Sequence, residues 1–247
     1  MSVTRAALIT GGSRGIGAEI ARRLAEEGFA LTLAARGAEA LEETARRLRA
    51  DTGAEVQTVP ARMNDPERIA ALTAAHDERF GRLDLLVSSA GTGTAGPVAD
   101  LPAATYERMM EVNLRGPLLL IQRALPLLRR TARRDPARGA RIVALASMTG
   151  VAGEAGLAAY GASKAALISL CETVSLEESG NGVNVTALSP GYVDTDMSAW
   201  KHGDVPPEAM ITTGDIAELV LALSRLSANA VVPNIVVSRA GDRLWRA

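Results

Sequence analysis

Short apolar runs alternate with longer amphipathic segments along most of this 247-residue chain. Each apolar run has the length of a buried strand, and each segment between two runs shows the periodicity of a helix. The predicted strands are 6–10, 30–35, 55–59, 83–88, 140–146, 183–189 and 235–238, and the predicted helices are 15–27, 38–50, 66–80, 105–130, 158–178 and 214–226. This alternation predicts a three-layer α/β fold, with a doubly wound parallel sheet of about seven strands.

Composition excludes several other classes of protein. The chain has no linker or internal repeat, so we expect residues 1–247 to form one domain. The lone cysteine, Cys171, cannot form an internal disulfide, and no Cys/His spacing predicts a metal site. The formal net charge of −1 is not that of a nucleic-acid binder. We find no signal-peptide core and no apolar run of membrane-spanning length, and we therefore expect a cytoplasmic protein that binds no membrane.

A glycine-rich stretch, GGSRGIG at 11–17, joins the first predicted strand to the first predicted helix. Glycines allow a tight turn there and bring backbone N–H groups close to a pyrophosphate, whose charge the helix N-terminus stabilises. This pattern favours a Rossmann dinucleotide site, although a tight turn without a ligand is the alternative. The residues that would contact the dinucleotide are Gly11, Ser13, Arg14, Gly15, Ile16 and Gly17.

The end of the second predicted strand indicates which dinucleotide binds. An NAD site usually places Asp or Glu there to hold the ribose 2′-hydroxyl. This chain reads AARG at 34–37 and has no acid at that point. Arg36, together with Arg14, would instead offer guanidinium groups to a 2′-phosphate. The sequence therefore predicts NADP(H) as the cofactor.

Tyr160 and Lys164 lie four residues apart near the start of the fifth predicted helix, so the phenol and the ammonium share one helix face. Since the chain has only three tyrosines and two lysines, a chance pairing at this spacing is rare. We expect the ammonium and a cationic nicotinamide both to favour the phenolate and lower the pKa of the phenol, which then acts as an acid–base group. Ser147 follows the fifth predicted strand, at the sheet edge where such folds bind ligands, and its hydroxyl could polarise a carbonyl.

In order and spacing, these motifs resemble those of the single-domain short-chain dehydrogenase/reductase family, and in particular its 3-oxoacyl carrier-protein reductases. The stretch TGGSRGIG at 10–17 matches the family's TGxxxGxG, and Tyr160 with Lys164 matches its YxxxK. Ser147 matches the catalytic serine and Asn113 the catalytic asparagine. The resemblance extends from residue 5 to about residue 225, where the PG motif at 190–191 also matches.

The resemblance implies a mechanism and a set of contacts. Tyr160 would protonate a carbonyl oxygen while NADPH delivers hydride to the carbonyl carbon, and Ser147 would orient the substrate. Lys164 would bind the nicotinamide ribose and lower the pKa of the tyrosine, and Asn113 would hold a helix kink and a water that relays protons. Further cofactor contacts are implied at Met63, Ala90, Gly91, Pro190, Gly191, Val193 and Thr195.

Three positions depart from the family pattern. The family's NNAG reads SSAG at 88–91, and Arg62 stands where an acid usually contacts adenine. Arg62 has no hydrogen-bond acceptor to offer the adenine amino group. The usual closing Gly-Gly is missing near the C-terminus, where tetramer contacts often lie in the family. How adenine is held, and whether the protein is a homodimer or a homotetramer, stay open at this point.

The resemblance places the substrate between segments 92–98 and 148–159 and a lid loop at 192–212. Glu154 is the one charged residue of the middle segment, and Lys201 is the one strong cation of the lid. Because anionic substrates need several such cations, a neutral ketone, aldehyde or alcohol is predicted. One alternative is a 3-oxoacyl carrier-protein reductase, with the arginine-rich stretch 129–141 facing the acyl carrier protein. Another is a regulator that binds NADP without turnover.

Overall fold

The computed structural model describes residues 4–241, and residues 1–3 and 242–247 lie outside this range. Its seven strands form one sheet in the order β3-β2-β1-β4-β5-β6-β7. They are β1 (Ala6–Thr10), β2 (Ala30–Ala35), β3 (Val56–Pro60), β4 (Leu85–Ser88), β5 (Ala140–Leu145), β6 (Val183–Pro190) and β7 (Asn234–Val237). Every pairing between neighbours is parallel, so the carboxyl ends of all seven strands lie at one edge. The predicted fold class is confirmed.

Helices cover both faces of the sheet. They are α1 (Gly15–Glu26), α2 (Ala38–Thr52), α3 (Pro66–Phe80), α4 (Ala103–Met110), α5 (Gly116–Arg134), α6 (Ala158–Glu178) and α7 (Thr213–Arg225). Helices α1, α2 and α7 bury their apolar stripes against one face, and α3, α5 and α6 bury theirs against the other. The central strands are therefore apolar on both sides, as a parallel sheet requires. Cys171 is fully buried in this core.

The prediction of one uninterrupted helix over 105–130 is wrong in its interior. Helices α4 and α5 are joined by a π turn, Glu111–Arg115, in which each backbone bond spans one residue more than in an α-helix. The apolar spacing on either side is compatible with a continuous helix, so periodicity alone could not reveal the turn. Its cause is a tertiary contact of Asn113, described below.

The arginine-rich stretch 129–141 lies at the amino-terminal edge of the sheet, because α5 ends there and leads directly into β5. Arg129 forms an ion pair with the buried Glu178, and Arg130 pairs with Asp77 at 2.5 Å. These arginines bind neighbouring helices at the edge opposite to the predicted catalytic residues. Within residues 4–241, no helix is both long and apolar enough to cross a membrane.

Candidate active site

The glycine-rich turn forms a close cradle at the carboxyl end of β1. Gly11 has φ +72°, and a Cβ on it would lie 3.0 Å from the backbone nitrogen of Ala90. A Cβ on Gly17 would lie 2.4 Å from the carbonyl oxygen of Gly11, so only glycine lets α1 begin this close to the turn. Arg14 stands at the N-cap of α1 without a side-chain capping bond. The first N–H groups of α1 therefore face the cradle free of any side-chain cap, as an anion site requires.

Thr10 ties the ends of β1 and β4 together, a role that our sequence reasoning missed. Its hydroxyl accepts hydrogen bonds from the backbone nitrogens of Ser89 and Ala90, both at 3.2 Å. The SSAG segment is thus held against the glycine-rich turn by a side chain of β1. Thr10 opens the TGxxxGxG motif, and its place in that motif was the only available signal.

The residues predicted for the adenosine end of a dinucleotide follow β2 and β3. Arg36 is exposed just after β2, and it forms no ion pair with any residue in the range 4–241. Met63, after β3, is buried in the core against Gly116 at the start of α5. Arg62 beside it is exposed. Arg14 reaches the lid instead, where its guanidinium donates a 2.9 Å hydrogen bond to Asp196.

Ser147 lies two residues beyond β5 and caps the short turn Met148–Gly150. Its hydroxyl oxygen accepts hydrogen bonds from the backbone nitrogen of Thr149 at 3.2 Å and from the Thr149 hydroxyl at 2.9 Å. Because both bonds are accepted, the Ser147 proton is left to donate elsewhere. Thr149 is thus a second residue that the sequence analysis overlooked, since only its position two residues after the serine marks it.

Tyr160 lies in the first turn of α6, with its ring against the backbone of Gly93. Burial raises the pKa of its phenol, and a hydrogen bond with Ser147 acts in the opposite direction. No lowering of this pKa by Lys164 is seen in the chain without a cofactor, and burial of the phenol outweighs the effect of Ser147. Tyr160 is therefore a protonated donor beside Ser147.

Lys164 lies one turn further along α6, with its ammonium nitrogen 5.7 Å from the centroid of the Tyr160 ring. The ammonium donates a 2.6 Å hydrogen bond to the carbonyl oxygen of Leu145, at the end of β5. Burial lowers the pKa of Lys164 to about 8. Tyr160, Lys164 and Ser147 thus come together at the carboxyl edge of the sheet.

Asn113 is fully buried in the π turn. Its side-chain amide accepts from the backbone nitrogen of Thr92 at 2.9 Å and donates to the carbonyl oxygen of Thr92 at 2.8 Å. It also donates to the hydroxyl of Ser163 at 3.0 Å, and that hydroxyl donates to the carbonyl oxygen of Tyr160 at 2.7 Å. A Cβ on Gly91 would lie 3.5 Å from the Asn113 side-chain oxygen and 3.6 Å from the Lys164 nitrogen. Asn113 therefore lies next to Lys164 and is linked through Ser163 to the backbone of Tyr160.

The segment after β6 is packed against the glycine-rich turn. Pro190 ends β6, and Gly191 donates a 2.9 Å backbone hydrogen bond to Val237. Val193 is buried in the core, so its side chain does not line the cleft. A Cβ on Gly15 would lie 3.4 Å from the methyl group of Thr195. The lid therefore starts directly over the dinucleotide cradle.

The lid is held to the loop that precedes α6. The hydroxyl of Tyr192 donates a 2.7 Å hydrogen bond to Glu154, and burial is the main reason that the pKa of Tyr192 is raised. The Lys201 ammonium lies 5.8 Å from the centroid of the Tyr192 ring and forms a 2.8 Å ion pair with Asp204. Glu154 and Lys201 were visible in the sequence as charged residues of these segments. Their partners, Tyr192 and Asp204, are shown only by the structure.

Comparisons with known proteins agree with this geometry. The model of the short chain dehydrogenase family matches residues 5–204, so the chain belongs to this family of oxidoreductases. The family and the fold predicted from the sequence are confirmed. A curated relative, the rhamnolipid-biosynthesis 3-oxoacyl acyl-carrier-protein reductase of Pseudomonas aeruginosa, is 37% identical over 207 residues, covering 83% of this chain and 78% of the relative.

Two solved structures are similar over almost their whole length. An alcohol dehydrogenase from the archaeon Thermococcus sibiricus, complexed with 5-hydroxy-NADP, has a TM-score of 0.86 and 30% identity, with 96% of each chain covered. The NADP active-site complex of RhlG from Pseudomonas aeruginosa has a TM-score of 0.85 and 33% identity, covering 96% of this chain and 95% of that one.

Proposed function

We propose that this protein is an NADP(H)-dependent oxidoreductase that interconverts a neutral carbonyl compound and its alcohol, with Tyr160 as the acid–base group. One observation carries this proposal: Tyr160, whose phenol burial keeps protonated, lies beside Ser147, and the Lys164 ammonium lies 5.7 Å from the centroid of its ring. A donor phenol, a second hydroxyl and a cation at one sheet edge are the groups needed to protonate a carbonyl oxygen.

In the direction of reduction, Tyr160 gives its proton to the carbonyl oxygen. Ser147 donates to the same oxygen, because Thr149 fills its acceptor side and leaves its own proton free. Both donors sit on rigid elements, Ser147 at the end of β5 and Tyr160 in the first turn of α6. Such preorganised donors stabilise the charge that develops on oxygen in the transition state.

Lys164 and Asn113 act behind these two donors. The Lys164 ammonium, oriented by the Leu145 carbonyl, favours the phenolate that Tyr160 becomes after giving up its proton. Asn113 fixes the Thr92 backbone and, through Ser163, the first turn of α6. We propose Lys164 as a binding residue for the nicotinamide ribose and Asn113 as a positioning residue.

The nucleotide edge fits NADP(H). Close packing at Gly11 and Gly17 leaves room for a pyrophosphate at the N-terminus of α1, whose N–H groups no side chain caps. Arg36 is exposed where a 2′-phosphate would lie, and the 34–37 segment offers no carboxylate to a ribose hydroxyl. Both structural neighbours described above were solved with NADP or a derivative of it. When bound, NADPH supplies the hydride, and the chain supplies the proton.

The charges of the cleft support a neutral substrate. Lys201 is paired with Asp204 and so is not a free cation for an anionic group, and Glu154 is itself an anion that accepts from Tyr192. The lid also carries Asp194 and Asp196. These two carboxylates would repel a phosphate or carboxylate at the mouth of the cleft. We propose ketones, aldehydes and the corresponding alcohols as substrates.

A screen of NADPH oxidation over matched carbonyl compounds tests this proposal. It should contain neutral ketones and aldehydes, their carboxylated and phosphorylated counterparts, and 3-oxoacyl thioesters with and without acyl carrier protein. We expect turnover of neutral members at least tenfold above that of their anionic counterparts. Turnover confined to phosphorylated sugars would overturn the substrate class, and NADPH binding without turnover of any member would favour the regulator.

A 3-oxoacyl acyl-carrier-protein reductase is the second candidate, because the Pseudomonas aeruginosa relative carries that name. The arginine-rich stretch 129–141 does not support it, since this stretch lies at the sheet edge opposite Tyr160. Carrier-dependent turnover in the screen, with free ketones inert, would favour this candidate.

We further propose a homodimer or homotetramer in the cytoplasm. Exposed apolar side chains on α4, α5 and α6, on one side of the sheet, support self-association; they are Tyr106, Leu118 and Leu176. An unpaired, buried Cys171 agrees with a reducing compartment. Light scattering at several protein concentrations would determine the oligomeric state.

A further inference from the structure

Arg14 and Asp196 join the glycine-rich turn to the lid across 182 positions of the chain. The guanidinium donates a 2.9 Å hydrogen bond to the carboxylate, and the two side chains are 70% and 75% exposed. Arg14 is also one of the two arginines proposed to hold the 2′-phosphate. One cation therefore faces two anions, a carboxylate of the chain and a phosphate of the cofactor.

The backbone around Asp196 is held in place. The Ser198 hydroxyl is buried, donates to the carbonyl oxygen of Val193 at 2.5 Å and accepts from the backbone nitrogen of Thr195 at 3.1 Å. Thr195 in turn lies against Gly15 of the glycine-rich turn. The backbone of Asp196 consequently stays near Arg14, so its carboxylate remains close enough to compete when another anion arrives.

Resting on the NADP(H) specificity proposed above, we propose that Asp196 is a specificity-determining residue that weakens the hold of Arg14 on the 2′-phosphate. The carboxylate competes for the guanidinium and repels the phosphate dianion. NAD(H) carries a hydroxyl at that position, so Asp196 has little effect on its binding. Arg36 has no such competitor, because it is exposed and forms no ion pair within the described part of the chain. By reciprocity, a bound 2′-phosphate loosens the contact between Asp196 and Arg14.

Binding of two fragments tests this inference without turnover. Adenosine 2′,5′-bisphosphate and adenosine 5′-monophosphate differ only in the 2′-phosphate, and calorimetry gives the Kd of each. Asp196→Asn should tighten binding of the bisphosphate roughly two- to fivefold, the range for an exposed ion pair, and leave the monophosphate unchanged. Asp194→Asn is the matched control, since it removes an equal charge two residues away that faces His202 rather than Arg14.

A double-mutant cycle separates competition for Arg14 from a general effect of charge. With Arg14→Ala present, Asp196→Asn should no longer change the affinity for the bisphosphate by more than the control does. An equal gain in both fragments, or the same gain from Asp194→Asn, would overturn the inference. If the wild-type chain prefers the monophosphate, the NADP(H) proposal itself fails, and that outcome is distinct from either of these.

Discussion

The ammonium of Lys164 donates a 2.6 Å hydrogen bond to the carbonyl oxygen of Leu145, the last residue of β5. Ser147 follows only two residues later, so one strand end positions both the cation and the hydroxyl of the site. The ammonium is buried, and this burial lowers its pKa to about 8. The charge of Lys164 is thus present at neutral pH and is lost in mildly alkaline solution.

This pKa predicts a fall of kcat/KM for NADPH above pH about 8, because the free enzyme then loses the cation proposed to bind the ribose. The limiting slope should be about tenfold per pH unit. Tyr160, whose pKa is raised, stays protonated in this range and does not produce the fall. Fluorescence titration of NADPH at pH 7, 8, 9 and 10 checks the binding part. Constant affinity to pH 10 would contradict the role of Lys164.

Tyr160→Phe should lower kcat for carbonyl reduction about 10²–10⁴-fold, because the positioned proton donor is gone. The ring and its packing remain, so NADPH affinity should change less than about twofold. Tyr106→Phe is the matched control, since Tyr106 is 43% exposed on α4 and loses the same hydroxyl. A kcat near the wild-type value in Tyr160→Phe would remove this residue from the chemistry.

The combined change Ala35→Asp and Arg36→Ala should move cofactor preference from NADPH toward NADH. The new carboxylate at the end of β2 can accept from a ribose 2′-hydroxyl and repels a 2′-phosphate. The ratio of kcat/KM for the two cofactors measures the shift. Arg47→Ala, which removes an exposed arginine from α2, should leave the ratio unchanged. A wild-type enzyme that already prefers NADH would contradict the proposal that Arg14 and Arg36 bind the 2′-phosphate.

His76 predicts a pH dependence of stability unrelated to catalysis. It is fully buried, its Nδ1 accepts from Thr32 at 2.7 Å, and its Nε2 donates to the carbonyl oxygen of Arg82 at 3.0 Å. Burial lowers its pKa from 6.5 to about 4. The unfolded chain therefore binds a proton between these values that the folded chain does not. The free energy of unfolding should fall by about 3 kcal/mol as the pH drops from 6.5 to 4.

Denaturant unfolding at pH 7, 5.5 and 4 measures this loss. His76→Gln should flatten the dependence between pH 7 and about 5.5, because carboxyls whose folded pKa is lowered, such as Glu178, are ionised there in both the folded and the unfolded chain. His202→Gln, which removes the other histidine of the chain, should keep the wild-type slope. A slope that survives in His76→Gln would assign the effect to another group.

Local patterns were sufficient to predict the strands and the order of the layers. Apolar runs separated by helical periodicity specify a parallel sheet, and all seven predicted strands overlap observed ones. The positions of Ser147, Tyr160 and Lys164 also followed, because motif spacing places them at the end of a strand and in the first turns of a helix. These features depend on contacts within a few residues or on the general geometry of α/β units.

Contacts between distant segments could not be predicted from the residues themselves, and only the family resemblance indicated a helix kink at Asn113. The π turn depends on Asn113 meeting Thr92 and Ser163, which are 21 and 50 residues away. Likewise, the hydrogen bond from Arg14 to Asp196 in the lid and the hydrogen bond from Tyr192 to Glu154 form only when separate loops meet. The pKa of Tyr160 was expected to fall because its neighbour is a cation, yet burial, which a sequence does not display, decides its direction.

The π turn Glu111–Arg115 also fixes a phase relation between two helices. An α-helix advances about 100° per residue, so the one extra residue in the turn rotates the faces of α4 relative to α5 by about that angle. This rotation lets α4 pack against α6 while α5 packs against α3. Single substitutions can alter each face, but none can change the residue count that sets the angle. Deleting one residue from the turn would instead redirect every side chain of α4 at once. The number of residues in this turn is therefore as strictly constrained as the identity of any catalytic side chain.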